Sequence, residues 1–196
     1  METSNIKIKA VIGLGNPSEE YLQTYHNIGR LFVDFLAEEK EFDSPSKKNF
    51  EFFKSPISIN QPLHPHKSAD GLILIKPLLY MNESGKAIKE AVKYFGLKPE
   101  EIIIAHDDSD MVIGNHKLSF DQSSGGHKGI QSIIDALETQ KFWRIKIGIR
   151  PQNEKNRKKA GEFVLKKISK KDSVILENIF EKTKLEIEKK SLMCRI

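Results

Sequence analysis

One histidine, one aspartate and two asparagines in this sequence are of the types that together can activate a water molecule for hydrolysis. They are His26, Asp107, Asn16 and Asn82. A histidine with a pKa near neutrality acts as a general base on water, and a carboxylate can orient the imidazole ring and stabilise its cation. Side-chain amides bind a carbonyl substrate and the oxyanion formed from it. Since Asp107 or Asn82 alone could simply cap a helix or turn, the hypothesis requires all four to meet.

Other catalytic chemistries need patterns that this sequence lacks. Gly13 and Gly15 follow an apolar run, but Ser18 stands where a dinucleotide-binding loop needs its third glycine, and Pro17 has no backbone N–H for a phosphate. No Gly-x-Ser-x-Gly motif presents a serine nucleophile, and the single cysteine, Cys194, has no partner for an intramolecular disulfide. We therefore expect no cofactor and no covalent intermediate on the protein.

Metal-ligand spacing is also missing among the six histidines. Zinc sites usually carry paired ligands at short, fixed spacing, and neither His-x-x-x-His nor His-x-x-Glu-His occurs. His64 and His66 lie in a proline-rich stretch that is typical of a surface loop. A metal-dependent hydrolase using His106, Asp108 and Asp110 stays open as an alternative, but the sequence favours a site without metal.

Apolar runs alternate with segments of helical periodicity, and these elements must position the four residues. Strands are predicted at residues 7–12, 72–75, 102–105, 117–120 and 143–149, with edge strands and loops within 40–70. Helices are predicted from about residue 21 or 25 to 39, from 82 to 96, around 130–137, and from about 171 to 190. This order predicts a single α/β domain over residues 1–196, with a mixed, largely parallel, twisted sheet and helices on both faces.

The predicted sheet places chemistry at the carboxyl ends of its strands. The apolar run at 102–105 delivers His106, Asp107, Asp108 and Asp110 at its end. In open α/β sheets, ligands bind in the crevice beyond those ends. We therefore expect the loops after the first three buried strands to converge there and to bring His26 towards Asp107.

Composition and charge limit the class of protein. The chain has 196 residues, of which 38% are hydrophobic and 30% charged, as in soluble domains. No apolar run approaches the ~20 residues of a membrane span, and the first residues lack the order of a signal peptide, so we expect a cytoplasmic protein without membrane contact. Residues 1–150 carry a net charge of −1 and residues 151–196 one of +6. The basic C-terminal loop and helix, from about residue 151, fit a polyanionic partner or simply a solvated helix face.

Five motifs occur in order and in register with those of a known family. They are Gly13-Leu-Gly-Asn-Pro-Ser-Glu-Glu-Tyr21, His26-Asn-Ile-Gly29, Lys76-Pro-Leu-Leu-Tyr-Met-Asn-Glu-Ser-Gly85, His106-Asp-Asp-Ser-Asp110 and Gly125-Gly-His-Lys-Gly129. From about residue 7 to 168, the chain resembles bacterial-type peptidyl-tRNA hydrolase. The resemblance implies a metal-free, monomeric esterase that cuts the bond between a peptidyl group and the terminal ribose of tRNA, and so recycles tRNA from stalled ribosomes.

The same resemblance assigns roles to individual residues. His26 matches the family's catalytic base, Asp107 the carboxylate that stabilises it, and Asn16 the residue that discriminates the substrate and orients the site. The positions that contact the substrate or line the same loop are Tyr21, Tyr80, Met81 and Asn82.

The resemblance also implies contact with the CCA end and acceptor stem of the tRNA. Lys117 and Lys146 fall at or near phosphate-binding positions, and the basic C-terminal segment could touch the acceptor stem. Lys128 stands where the family usually has a substrate-contacting asparagine. We hypothesise that Lys128 lies at the site, weakens peptide recognition and aids tRNA contact, whereas the alternative has it pointing to solvent. The main rival function is RNA binding without catalysis, which is known for relatives with this fold.

Overall fold

The computed structural model describes residues 7–55, 71–152, 161 and 163–193. The predictions for His64, His66, Cys194 and the basic stretch at 153–160 lie outside these residues. The strands are β1 (Ala10–Gly13), β2 (Phe50–Lys54), β3 (Ile73–Pro77), β4 (Ile102–Val112), β5 (His116–Phe120) and β6 (Trp143–Arg150). The helices are α1 (Ile28–Leu36), α2 (Ser84–Phe95), α3 (Lys128–Leu137) and α4 (Lys170–Met193).

The six strands form one sheet in the order β2-β3-β1-β4-β6-β5. The four central strands run parallel, whereas β2 and β5 pair antiparallel to their neighbours at the two edges. The central strands are the continuous apolar runs of the sequence, as expected for strands that are buried on both faces. The predicted α/β class, with its mixed and largely parallel sheet, is confirmed.

Two hydrophobic cores lie on opposite faces of this sheet, because successive side chains of a strand point to opposite sides. On β4, Ile103 and Ala105 pack into the core that also contains Phe32 of α1 and Phe180 of α4. Their neighbours Ile102 and Ile104 pack into the other core, with residues of α2 and α3. Helices thus cover both faces, as predicted.

Helix α1 approaches the sheet very closely at its start. A Cβ atom at Gly29 would collide with the backbone carbonyl of Ala105 on β4, and one at Gly13 would collide with the carbonyl of Gly29. The backbone N–H of Leu14 also donates to the carbonyl of Ala105 (3.0 Å). These glycines let the first turn of α1 lie directly against β1 and β4, which fixes the place of the preceding residue His26.

Two predicted boundaries are wrong, for physical reasons. Strand β4 continues to Val112 instead of ending at residue 105, because His106 and Asp107 still pair with Lys146 and Ile147 of β6. Helix α1 begins at Ile28, since residues 25–27 form a separate 3₁₀ turn. None of the helices in the described ranges is long and apolar enough to cross a membrane.

Candidate active site

A cavity of about 720 Å³ opens at the carboxyl ends of the parallel strands. It lies where β1 sits between β3 and β4, the point at which the chain changes direction along the sheet and where α/β folds usually bind ligands. Eight of the ten predicted site residues line this cavity: Asn16, His26, Tyr80, Met81, Asn82, Asp107, Lys128 and Lys146. Tyr21 and Lys117 are not part of the lining.

The backbone at Tyr25 and His26 is held by two hydrogen bonds to the segment that precedes α4. The N–H of His26 donates to the carbonyl of Val164 (2.8 Å), and the N–H of Tyr25 donates to that of Lys166 (3.2 Å). The close packing of α1 against β4 then directs the His26 ring towards Asp107. The imidazole Nδ1 donates a hydrogen bond to Asp107 Oδ1 (2.8 Å), and the Nε2 atom has no hydrogen-bond partner among the described residues. The Nε2 atom of His26 is therefore available to a ligand in the cavity.

Asp107 is the centre of a network of two histidines. Its side chain is 3% exposed, and its Oδ1 accepts from His127 Nε2 (3.0 Å) as well as from His26. His127 caps α3, with Nδ1 accepting the N–H of Ile130 (3.3 Å). Because Nδ1 of His127 must be unprotonated to accept, its proton is on Nε2, the atom that faces Asp107. The helix cap thus determines the tautomer of His127.

A third histidine packs beside this network but has different chemistry. His106 is 3% exposed, its Nδ1 donates to the backbone carbonyl of Asp107 (2.7 Å), and its ring meets that of His127 edge-on at 4.8 Å. Burial, together with the electrostatic interaction with the neighbouring His127 ring, holds the pKa of His106 well below its ordinary value. His106 is therefore a neutral packing partner that supports His127 and the backbone at Asp107.

Electrostatic interactions within this network shift the pKa values of Asp107 and His26. Burial alone would raise the pKa of Asp107, but its electrostatic interactions with His127 and His26, including the hydrogen bonds from both rings, lower it far below the usual range. Burial lowers the pKa of His26, whereas the charge and hydrogen bond of Asp107 raise it more strongly and Lys128 lowers it again. The net effect is a His26 pKa above its ordinary value, so its cation is stabilised.

Asn16 is held in place by hydrogen bonds to two residues that are distant in sequence, Asn27 and Met81. Its backbone N–H donates to Asn27 Oδ1 (2.8 Å), and Asn27 Nδ2 donates back to the Asn16 carbonyl (2.9 Å). Its own Oδ1 accepts the backbone N–H of Met81 (2.8 Å). The Nδ2 group of Asn16 then has no partner among the described residues and is available to donate to a ligand in the cavity.

The loop after β3 forms one wall of the cavity. Tyr80 is 48% exposed, Met81 is buried against Gly129 of α3, and Asn82 is exposed without a protein hydrogen bond in the described ranges. Tyr21 contacts this wall from outside, edge-on to the Tyr80 ring at 6.5 Å. An exposed aromatic ring beside an exposed amide can pack against a peptide and bind its backbone groups.

The predicted phosphate-binding lysines occupy neighbouring strands. Lys117 on β5 lies directly opposite Lys146 on β6, so both side chains point to the same face of the sheet. Lys117 is exposed, and Lys146 lies 3.6 Å from a carboxylate oxygen of Asp108. Lys128, the first residue of α3, is exposed at the cavity and has no carboxylate within ion-pair distance among the described residues.

One group of three side chains in the described residues has the composition of a metal site. The ligand atoms of His26, Asp107 and His127 lie within 4.8 Å of one another. The facing nitrogens of the two rings are hydrogen-bonded to a single oxygen of Asp107, so the three side chains form one hydrogen-bonded network. The predicted alternative trio of His106, Asp108 and Asp110 does not form such a group.

Two contributors to the site received no role from the sequence. His127 and Asn27 occur in the sequence prediction only as parts of motifs. The histidine at a helix start is a detectable signal, because N-cap positions carry side-chain acceptors. The pairing of Asn27 with Asn16 joins two segments through tertiary structure, and nothing in the local pattern indicates it.

Comparisons with known sequences find related proteins along nearly the whole chain. The sequence model of the family described as Peptidyl-tRNA hydrolase matches residues 10–192. The chain is 37% identical to peptidyl-tRNA hydrolase of Persephonella marina over 177 residues, covering 90% of this chain and 87% of the relative. It is 36% identical to that of a Sulfurihydrogenibium species over 197 residues, covering 95% and 97%.

Solved structures show the same fold. A peptidyl-tRNA hydrolase in complex with N-propanol superposes with a TM-score of 0.78 at 28% identity, covering 97% of this chain and 91% of the other. The enzyme from Acinetobacter baumannii gives a TM-score of 0.74 at 26% identity, covering 97% and 96%. With its five motifs, its α/β sheet and these matches along nearly its whole length, the chain belongs to the bacterial-type peptidyl-tRNA hydrolase family of enzymes.

Proposed function

We propose that this chain hydrolyses the ester bond between the peptidyl group and the terminal ribose of peptidyl-tRNA, with His26 as the general base. The family supports the reaction. The observation that supports the residue assignment is the hydrogen bond from His26 Nδ1 to the buried Asp107, which leaves Nε2 free at the cavity that Asn16 and Asn82 also line. A protein that only binds RNA would not need this pair of a histidine base and a carboxylate.

The reaction proceeds by direct attack of water. His26 Nε2 takes a proton from water as the water oxygen bonds to the ester carbonyl carbon, and Asp107 stabilises the resulting imidazolium. The amide groups of Asn16 and Asn82 donate to the oxyanion or hold the neighbouring peptide group. As the carbon–oxygen bond to the ribose breaks, the imidazolium returns its proton to the departing ribose oxygen. The products are a free carboxylic acid on the peptide and an intact tRNA.

Selectivity for N-acylated substrates follows from neutral amides in the cavity. A side-chain amide can both donate to and accept from a peptide group, whereas the ammonium of an unacylated aminoacyl group can only donate. Lys128, Lys146 and Lys117 supply positive charge for the phosphates near the CCA end, and the basic C-terminal segment extends this towards the acceptor stem. From the family resemblance, we propose that the enzyme acts as a monomer and without a metal.

The assay is release of an N-acetyl-aminoacyl group from tRNA by the wild type and by His26→Ala. We expect kcat/KM to fall by roughly 10²–10⁴-fold, as for loss of a general base, while tRNA binding persists. His116→Ala is the matched control, because His116 pairs with Glu186 (2.8 Å) away from the cavity. Equal hydrolysis by wild type and His26→Ala would refute the mechanism, and tRNA binding by a wild type that does not hydrolyse would favour the RNA-binding alternative.

A further inference from the structure

A cluster of charged side chains lies next to the active site, between α1, β2 and β3, and the proposed reaction does not use it. Arg30 and Lys76 are each 8% exposed. Glu51 Oε1 accepts from Arg30 Nη2 (2.6 Å) and lies 3.0 Å from Lys76 Nζ, which also donates to Asp34 (2.7 Å). Lys76 Nζ further sits 3.6 Å from the centre of the Phe42 ring. These four ionic groups thus form one connected network.

Stability alone is a poor reason for such a network. Buried ion pairs cost much of their Coulomb energy in desolvation, and apolar residues of similar size often stabilise a fold as well or better. What charged hydrogen bonds supply is fixed direction. In this cluster, the direction is given by the guanidinium of Arg30, since its second terminal nitrogen, Nη1, donates to the backbone carbonyl of Pro77 (2.8 Å).

Pro77 is the last residue of β3, and only two residues separate it from Tyr80. Arg30 lies four residues after His26, and its backbone N–H donates to the carbonyl of Leu14 (3.0 Å). One residue therefore joins the helix that follows the base, the loop that carries Asn16, and the strand end from which the Tyr80–Asn82 wall departs. Glu51, held by Lys76, accepts from the other terminal nitrogen of Arg30 and so keeps the guanidinium oriented towards the carbonyl of Pro77.

We propose that Arg30 is a positioning residue that sets the distance between the Tyr80–Asn82 wall and the His26 base, and thereby sets affinity for the acyl-peptide part of the substrate. This inference deepens the proposed function and rests on it. Arg30 acts through Pro77 and does not touch the reacting atoms. Its loss displaces the wall but leaves the contact between His26 and Asp107 in place.

The test compares Arg30→Met and Arg30→Lys with the wild type. Arg30→Met removes both directed hydrogen bonds of the guanidinium, and we expect KM for N-acetyl-aminoacyl-tRNA to rise about tenfold. We expect kcat to stay within about twofold and the acidic limb of the pH–rate profile to stay in place, because the base is untouched. Arg30→Lys keeps the charge and one donor, so its KM should fall between the two.

Glu101→Gln provides the matched control. Glu101 forms an ion pair with Lys9 (2.7 Å) before β4, at the opposite end of the sheet from the cavity, so its loss lowers stability without moving the wall. An Arg30→Met KM equal to that of Glu101→Gln, or a fall in kcat at constant KM, would overturn the proposal. If Arg30→Met does not fold, Arg30→Lys and Glu51→Gln carry the same test with smaller expected rises in KM.

A binding measurement separates this inference from the proposed function. The probe is an N-acetyl-aminoacyl group joined by an amide bond to an amino-deoxyadenosine, which binds without being hydrolysed. The proposal predicts weaker binding by Arg30→Met than by the wild type, with the same fold-change as in KM, even if His26 proved not to be the base. Equal dissociation constants for the two proteins would refute it.

Discussion

Replacement of Asp107 by asparagine tests the centre of the active site most directly. Asp107→Asn keeps the size and the acceptor oxygen of the side chain, so hydrogen bonds from His26 and His127 can persist, but it removes the negative charge. In the wild type, that charge raises the pKa of His26 against the effects of burial and of Lys128, which both lower it. The variant should therefore have a less basic His26 and a less stable imidazolium in the transition state.

The distance of 2.8 Å between His26 Nδ1 and Asp107 Oδ1 sets the size of the interaction energy between the two groups. Because each charge is spread over its ring or carboxylate, the centres of charge lie about 4 Å apart. Two unit charges about 4 Å apart at an effective dielectric constant of about 20 interact by about 4 kcal/mol, an upper limit for a ring that is partly exposed. If about 3 to 4 kcal/mol of this energy stabilises the imidazolium in the wild-type transition state, its loss in Asp107→Asn lowers kcat/KM by roughly 10²–10³-fold. The same energy corresponds to a fall of about two to three units in the pKa of His26, so we expect the acidic limb to move down by about two to three pH units.

The measurement is kcat/KM on N-acetyl-aminoacyl-tRNA from pH 5 to 9. A general base works in its deprotonated form, so activity of the wild type should rise through a pKa above the ordinary 6.5 of histidine. The ratio of wild-type to Asp107→Asn kcat/KM should be largest at pH values above the acidic limbs of both proteins, and it should decrease towards low pH. Asp135→Asn, on the exposed side of α3, is the control for loss of a carboxylate. An acidic limb that stays in place or moves up in Asp107→Asn would refute the reasoning.

Three further predictions use other parts of the structure. Gly29→Ala should destabilise the fold by about 1–3 kcal/mol, measured by urea unfolding, because its methyl group collides with the carbonyl of Ala105; unchanged stability would show that α1 can shift. Lys128→Asn should move the acidic limb to higher pH, because the lysine charge lowers the pKa of His26, and should weaken the salt dependence of KM; no change in the limb, KM or turnover would contradict a role at the site. Pretreatment with a chelator, followed by assay of the desalted enzyme, should leave kcat/KM unaltered, whereas inactivation reversed by one added metal would favour the metal-dependent alternative.

The fold was largely predictable because its central strands are buried on both faces. Runs such as residues 102–105 are continuous and apolar, which only a covered strand or a buried helix requires, and the flanking glycines and prolines limit their length. The end of β4 was not predictable in this way. Its residues from His106 to Asp110 are polar, and the strand continues through them because β6, about 40 residues later, pairs with it.

The candidate site was partly predictable for a similar reason. The carboxyl ends of parallel strands lie at one edge of the sheet. His26, Asp107 and Asn82 could therefore be expected in one place from the order of the elements alone. The second hydrogen bond on Asp107 could not, because it depends on where α3 begins relative to β4. The network of Arg30, Glu51 and Lys76 was likewise hidden, since the burial of its charges is a property of three packed elements and not of any local pattern.

The alternation of side chains along β4 makes catalysis sensitive to insertion and deletion. His106 continues the face of Ile104, and Asp107 continues the face of Ala105, although the two are adjacent in the chain. Adding one residue between Ile102 and His106 would move His106 into the position of Asp107 and present an imidazole to His26 in place of a carboxylate, whereas removing one residue would bring Asp108 into that position. The register of β4 against β6 therefore decides which side chain faces His26.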